Sequence, residues 1–281
     1  MKKIILSVFV AIITNATIYA QVRRPAASPS SKIEQKVGLT DIILEYSRPA
    51  VKGRTIFGDL VPYGRIWRTG ANENTKITFS TDVIVSGQTL KKGTYAIYTQ
   101  PEKESWQVVF YSDANNWGSP EKWDSEKVVA KATIQVIPKA MNIETFTMSF
   151  DDLTNTSAVL GIMWGKVYVG VRFEVPTKDE MEKVISKTLE GPSYNDYIQS
   201  AIYYYNTDQD INKAKGWLDK SIEMTSKEPK IWMLYWKSLI HEKAGYRKSS
   251  VAAAKKSLRM AQKEKNNYFI KKNEEFLAKH K

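Results

Sequence analysis

The residues with the most chemistry to offer lie in one stretch, Tyr46 to Thr75, which reads YSRPAVKGRTIFGDLVPYGRIWRTGANENT. It carries Arg48, Lys52, Arg54, Arg65 and Arg68 against the acids Asp59 and Glu73. A guanidinium grips carboxylate or phosphate through two parallel hydrogen bonds and also stacks on aromatic faces. Trp67, beside Arg68, offers a flat stacking surface, and Asn72 and Glu73 supply hydrogen-bonding groups suited to hydroxyls. Arg48, Arg54, Trp67, Arg68, Asn72 and Glu73 are therefore the candidate binding residues for a glycan or an anionic small molecule. The competing expectation is structural: the arginines pair with Asp59, Glu73 or Asp41 and pin a long loop. Gly53, Gly58, Gly64, Gly70, Pro49 and Pro62 break any strand, while Tyr46, Phe57, Tyr63 and Trp67 need burial. An ordered loop packed on a β domain is expected.

Other chemistry is sparse. The chain has no cysteine, which excludes disulfides, thiolate nucleophiles, zinc–cysteine sites and iron–sulfur clusters. Its two histidines, His241 and His280, fall in a helical pattern and next to the last residue, and both read as surface residues rather than bases of a Ser-His-Asp triad. Glu73 with Asp59 or Asp41 would suit a polysaccharide hydrolase, whose paired carboxylates must flank a sugar at a set separation. Asp113-x-Asn115 opens like a calcium loop, but Trp117 and Gly118 follow where another oxygen ligand belongs. No glycine-rich phosphate loop of standard spacing occurs. No catalytic residue, metal ligand or cofactor is singled out, so a non-catalytic binding or scaffolding role is favoured over the hydrolase.

Several features place these residues in a larger frame. Lys2 and Lys3, the apolar run Ile4–Ile13 and the small residue Ala20 read as a signal peptide over 1–20, so the mature protein is expected to be exported, to the periplasm or the outside, without a stable membrane anchor. Residues 21–36 (QVRRPAASPSSKIEQK) read as a flexible linker. The net charge is +12, with +3 over 21–176 and +7 over 177–281. The lysines alternate with acids, so a solvated face is expected and nucleic acid is not a partner.

Over 37–175 the period is that of strands. Leu39–Tyr46, Lys76–Ser86, Thr94–Thr99, Trp106–Ser112, Val128–Ile137, Thr145–Phe150, Ala158–Trp164 and Val167–Val175 are rich in β-branched and aromatic residues. The last two are expected to form a tight hairpin at Gly165-Lys166. At Pro176 the period becomes helical. Thr177-x-x-Glu180 has the form of a capping box, Ser193 is suited to cap a second helix, a third runs from about Asp210 to Met224, and Gly191-Pro192 and Gly245 stop helices. Ala214-x-x-x-Leu218-x-x-Ser221 recurs as Ala254-x-x-x-Leu258-x-x-Ala261, an offset of 40 residues. This weakly resembles tetratricopeptide repeats, whose stacked helix pairs make partner-binding surfaces. The fold class expected is α+β in two segregated domains: an N-terminal all-β antiparallel sandwich or jelly roll over 37–175, and a C-terminal all-α helical-repeat domain over 176–281 that docks a protein partner.

The motif block Tyr46-Ser47-Arg48-Pro49, Lys52-Gly53-Arg54, Phe57-Gly58, Leu60-Val61-Pro62-Tyr63-Gly64 and Trp67 through Glu73, continued by Gly93-Thr94-Tyr95, Trp106, Asn116-Trp117-Gly118 and Phe146 through Trp164, resembles the secreted bacterial family catalogued as domain of unknown function 2911, found mostly in Bacteroidota. The resemblance covers about residues 30–175. It implies an all-β domain, sometimes followed by tetratricopeptide-like helices, and no activity.

Overall fold

The computed structural model describes residues 24–225 and 229–280. The expected signal peptide, 1–20, lies outside the described residues. The chain divides into two compact units at Val175/Pro176, an antiparallel β unit and a helical unit. No described helix is long and apolar enough to cross a membrane.

The β unit contains β1 (Ser30–Val37), β2 (Thr40–Ser47), β3 (Thr75–Phe79), β4 (Val83–Val85), β5 (Gln88–Leu90), β6 (Gly93–Pro101), β7 (Ser105–Tyr111), β8 (Val128–Gln135), β9 (Ile137–Asp151) and β10 (Ser157–Glu174). One sheet has the order β1-β2-β3-β6-β7-β8 and the other β5-β4-β10-β9. Alternation decides which face is buried: Ile42, Leu44 and Tyr46 of β2 point inward while Asp41 and Glu45 meet water. Side chains from both sheets, among them Leu44, Ile77, Trp106, Phe146, Leu160 and Phe173, make one core. Each such residue contributes about 1.5–3 kcal/mol by leaving water.

Three strand expectations need correcting. The linker is shorter than 21–36, because Ser30–Lys36 belong to β1 and pair with β2. Its inward positions, Ser31, Ile33 and Gln35, are mostly polar and only half buried, so an edge strand hides behind a linker-like composition. Gly165-Lys166 is not a hairpin. β10 runs through it, and the register against β9 shifts on both sides of Gly165. Gly165 has φ +59, which inserts a β-bulge that bends the strand without reversing it. The expected single strand Lys76–Ser86 likewise divides into β3 and β4, in different sheets.

The described residues of the second unit form α1 (Thr177–Thr188), α2 (Tyr194–Asn206), α3 (Ile211–Met224), α4 (Ile231–Lys243), α5 (Arg247–Lys263) and α6 (Asn267–Ala278). Pro176, not Thr177, occupies the first N-cap. Ser193 and Asp196 form a reciprocal capping box on α2, and the Asp210 carboxylate caps α3. Ala214, Leu218, Ser221, Ala254 and Ala261 are all buried.

His241 corrects another expectation. It is 3% exposed, with Nε2 at 2.9 Å from Asp219 Oδ1. Lys237 and Lys215 donate to the same carboxylate, each at 2.8 Å. His280 also turns inward, against Glu242 at 2.6 Å. Helix α3 presents the acid that α4 answers, a meeting that residue spacing within either helix does not reveal. Burial alone would raise the Asp219 pKa. Hydrogen bonds from His241, Lys215 and Lys237 outweigh it and hold the carboxyl well below the usual carboxylate range. The stability that this provides is complete above about pH 4 and is lost as pH falls further. Asp219→Asn is therefore expected to cost the helical unit about 1–2 kcal/mol at neutral pH, less than a fully buried pair, because the side chain is 32% exposed. It should also make the acid-side loss of stability shallower. Denaturant unfolding followed by helical circular dichroism at several pH values checks both.

Candidate functional site

The stretch from Arg48 to Asn74 is ordered; it joins β2 to β3 of the six-stranded sheet and on the way bonds to β9 of the other sheet. Tyr46, at the end of β2, donates its hydroxyl to the Met148 carbonyl at 3.3 Å and accepts from the Met148 N–H at 3.1 Å. Beyond it the chain lies along β9: Phe146 N–H donates to Pro49 O at 2.8 Å, and Val51 N–H to Glu144 O at 2.8 Å. Farther on, Trp67 exchanges backbone hydrogen bonds of 2.7 and 2.9 Å with Thr99, beyond the last β3 partner of β6. The loop thus covers the edge of β9 and fills the flank of β6 that β3 leaves open.

Between these two attachments lies a cleft of about 370 Å³. Four of the six candidate residues line it: Arg54, Trp67, Arg68 and Asn72. Lys52 and Trp164 also line it and were missed in the sequence reading, although Lys52 stands in the same motif as Arg54. Arg48 and Glu73 are placed elsewhere. Arg48 turns to β9, where Nε donates to Phe146 O at 3.0 Å and Nη2 to Thr147 Oγ1 at 2.8 Å. Glu73 is exposed, meets Lys76 at 3.4 Å, and lines a neighbouring groove.

The arginines are not held by acids. Among the described ion pairs, Asp41 meets Lys36 and Glu73 meets Lys76, and none involves Arg48, Arg54 or Arg68. They donate to backbone carbonyls instead. Arg54 Nε reaches Val51 O at 3.0 Å and Nη2 reaches Ala50 O at 2.6 Å. Arg68 Nη1 reaches Asn72 O at 2.9 Å. A carbonyl carries no net charge, so these bonds fix the guanidinium without cancelling its charge.

Trp67 forms the cleft floor. Its ring stacks on Trp164 at 5.8 Å with a 17° tilt and meets Phe57, Trp106 and Phe146 edge-on. Its indole N–H donates to Gly70 O at 3.0 Å. The backbone here is unusual: Thr69 and Asn72 have φ +55 and +58. For β-branched Thr69 this is a strained conformation. The Thr69 hydroxyl donates to Thr99 Oγ1, its carbonyl accepts from Thr75 Oγ1 at 2.6 Å, and Asn72 donates to Ser28 O and Ser47 Oγ. Gly70 has φ +151, and a side chain there would approach Ser47 O to 3.0 Å.

The turn at Asp113, which the sequence only weakly likens to a calcium loop, is held by the chain's own donors. Asp113 accepts from Asn115 N–H and from Lys127. Among the described residues, no three His, Cys, Asp or Glu side chains are grouped to hold a metal ion.

An antiparallel β unit with an arginine-bearing connector, followed by helices, is an α+β protein. The chain belongs to the family described as Protein of unknown function (DUF2911), whose model matches residues 28–173. The matched span starts at Ser28, on the cleft wall, and ends one residue before the end of β10. No curated protein and no solved structure matches the chain.

Because Trp67 belongs to the core, Trp67→Ala is expected to cost about 3–5 kcal/mol and to melt the β unit early. Gly70→Ala should also destabilise, by about 1–3 kcal/mol, through backbone strain. Urea unfolding followed by tryptophan fluorescence measures both.

Proposed function

We propose that this is an exported, non-catalytic binding protein whose β unit holds an anionic ligand, carboxylate- or phosphate-bearing and including acidic glycans, in the cleft floored by Trp67. The observation that carries this reading is charge. Lys52, Arg54 and Arg68 line the cleft, and no acidic residue is among its described lining residues. Each charge-assisted hydrogen bond to a bound anion contributes about 1.5–3 kcal/mol. Holding two of the cations on backbone carbonyls reduces the ordering cost of binding.

The finer architecture belongs to the same proposal. The β unit is read as a sandwich or jelly roll over about 30–175, supported by two sheets sharing one core. The helical unit is read as a tetratricopeptide-like array that docks a protein partner, supported by the buried small residues Ala214, Ser221, Ala254 and Ala261 where its helices pack. Export rests on the sequence of residues 1–20. Hydrolysis through Glu73 and a second carboxylate is the rival. Its support is that Glu45 lines the same groove as Glu73.

Thermal unfolding with galacturonate and with inorganic phosphate tests the cleft. A ligand at about a hundred times its dissociation constant adds about 2.7 kcal/mol, a rise of a few degrees. We expect the rise with at least one of the two anions, and its loss in Lys52→Ala, whose ammonium has no described partner. Glucose, which lacks the charge, should give none. No shift with either anion would sink the reading, and release of new reducing ends from a polysaccharide would favour the hydrolase.

A further inference from the structure

A second depression adjoins the cleft. It lies on the face of the six-stranded sheet turned away from the main core, and its volume is about 530 Å³. Lys32, Glu45, Ser47, Asn74 and Trp117 line it, and it shares Ser28 and Asn72 with the cleft. The two depressions therefore adjoin at these two residues, whose side chain and backbone are bonded to each other.

Three properties of this groove point to a class of ligand. The first is Trp117, which is 72% exposed. Its backbone is nevertheless fixed on one side: the buried Tyr98 hydroxyl donates to Gly118 O at 3.1 Å, and Gly118 lies so close to Arg68 that a side chain there would come within 2.8 Å of Nη1. A large apolar ring is thus held in water on an anchored segment. Such a face stacks on flat ligands with apolar C–H surface, and the ordering cost has already been met in folding.

The second is Asn74, which is 2% exposed. Its amide donates to Tyr98 Oη at 3.3 Å, but its Oδ1 has no described partner. A buried acceptor without a donor costs about 1–3 kcal/mol, so the groove wall carries an unmet demand for a hydrogen-bond donor. The third is the balance of charge. The lysines Lys32 and Lys76 and the acids Glu45 and Glu73 are equal in number, so the groove has no preference for an ion of either sign. Hydroxyls, which both donate and accept, suit such a lining. An aromatic platform, an unpaired acceptor and mixed charges together match a neutral sugar ring.

We infer that the ligand is an oligosaccharide carrying an anionic group. Its charged unit occupies the cleft beside Lys52, Arg54 and Arg68, and an adjoining neutral ring lies in the groove against Trp117. The inference rests on the anion reading of the cleft, and adds to it the class of molecule to which the anion is attached. Carboxylated and sulfated sugars share this chemistry.

The test uses the full chain on immobilised oligosaccharides in three matched forms: neutral, uronate-bearing and sulfated. Trp117→Ala, Trp117→Phe and Lys52→Ala are compared with the unsubstituted protein. We expect retention on an anionic form and at least tenfold weaker binding to its neutral match. The form retained separates carboxylate from sulfate. Trp117→Ala should lose at least tenfold on the same oligosaccharide, Trp117→Phe should restore part of it, and the thermal shift with galacturonate alone should be unchanged by either. Lys52→Ala should lose both signals. Equal binding by Trp117→Ala and the unsubstituted protein would remove the groove from the proposal and leave the anion reading standing. Equal retention of neutral and anionic forms, lost in Trp117→Ala, would overturn the anion reading and with it this inference. No retention on any form would overturn the inference outright.

Discussion

The β unit depends on the seam along β9. Tyr46 bonds both backbone groups of Met148, Arg48 follows with two bonds to Phe146 and Thr147, and the backbone of 49–51 completes the row. Without the seam, β9 would be an open edge and the two sheets would be joined here only by side-chain packing. With it, the connector is pinned at its start, and the aromatic cluster of Phe57, Trp67, Trp106, Phe146 and Trp164 can close over it. The cleft is the space left between this seam and the second attachment at Thr99.

That arrangement explains why the arginines bond carbonyls. A loop with this many breaks leaves backbone acceptors that no strand partner satisfies, and buried or half-buried carbonyls need donors. Guanidinium groups meet that need with several N–H groups each. Salt bridges would have fixed the loop equally well but would have cancelled its charge. The result is a connector that stabilises the fold and keeps a positive cleft. Arg48 spends its donors on β9, which is why a residue of the same type as Arg54 and Arg68 stands apart from them.

Much of this was legible in the sequence. The change of period at Pro176, the cap at Ser193 and the ordered character of 46–75 follow from local chemistry, because each is decided within a few residues. Four of the six candidate residues meet in one cleft because they sit in a single short segment. What was hidden depends on partners distant in the chain. β1 reads as a linker because an edge strand needs little apolar content. Gly165 reads as a turn because only the pairing with β9 shows that the strand continues. The burial of His241 requires Asp219 on another helix. Asn74 and Trp117 become neighbours only when the loop after β7 folds back over the sheet.

The near-parallel stack of Trp67 and Trp164 has a spectroscopic consequence. Two indoles 5.8 Å apart couple their electronic transitions, and the sign and size of the resulting near-ultraviolet signal depend on their mutual angle. Since one ring forms the floor of the cleft and the other lines it, the protein carries an optical gauge at the place where a ligand would press. Occupancy can be read from the chain itself, with no dye attached.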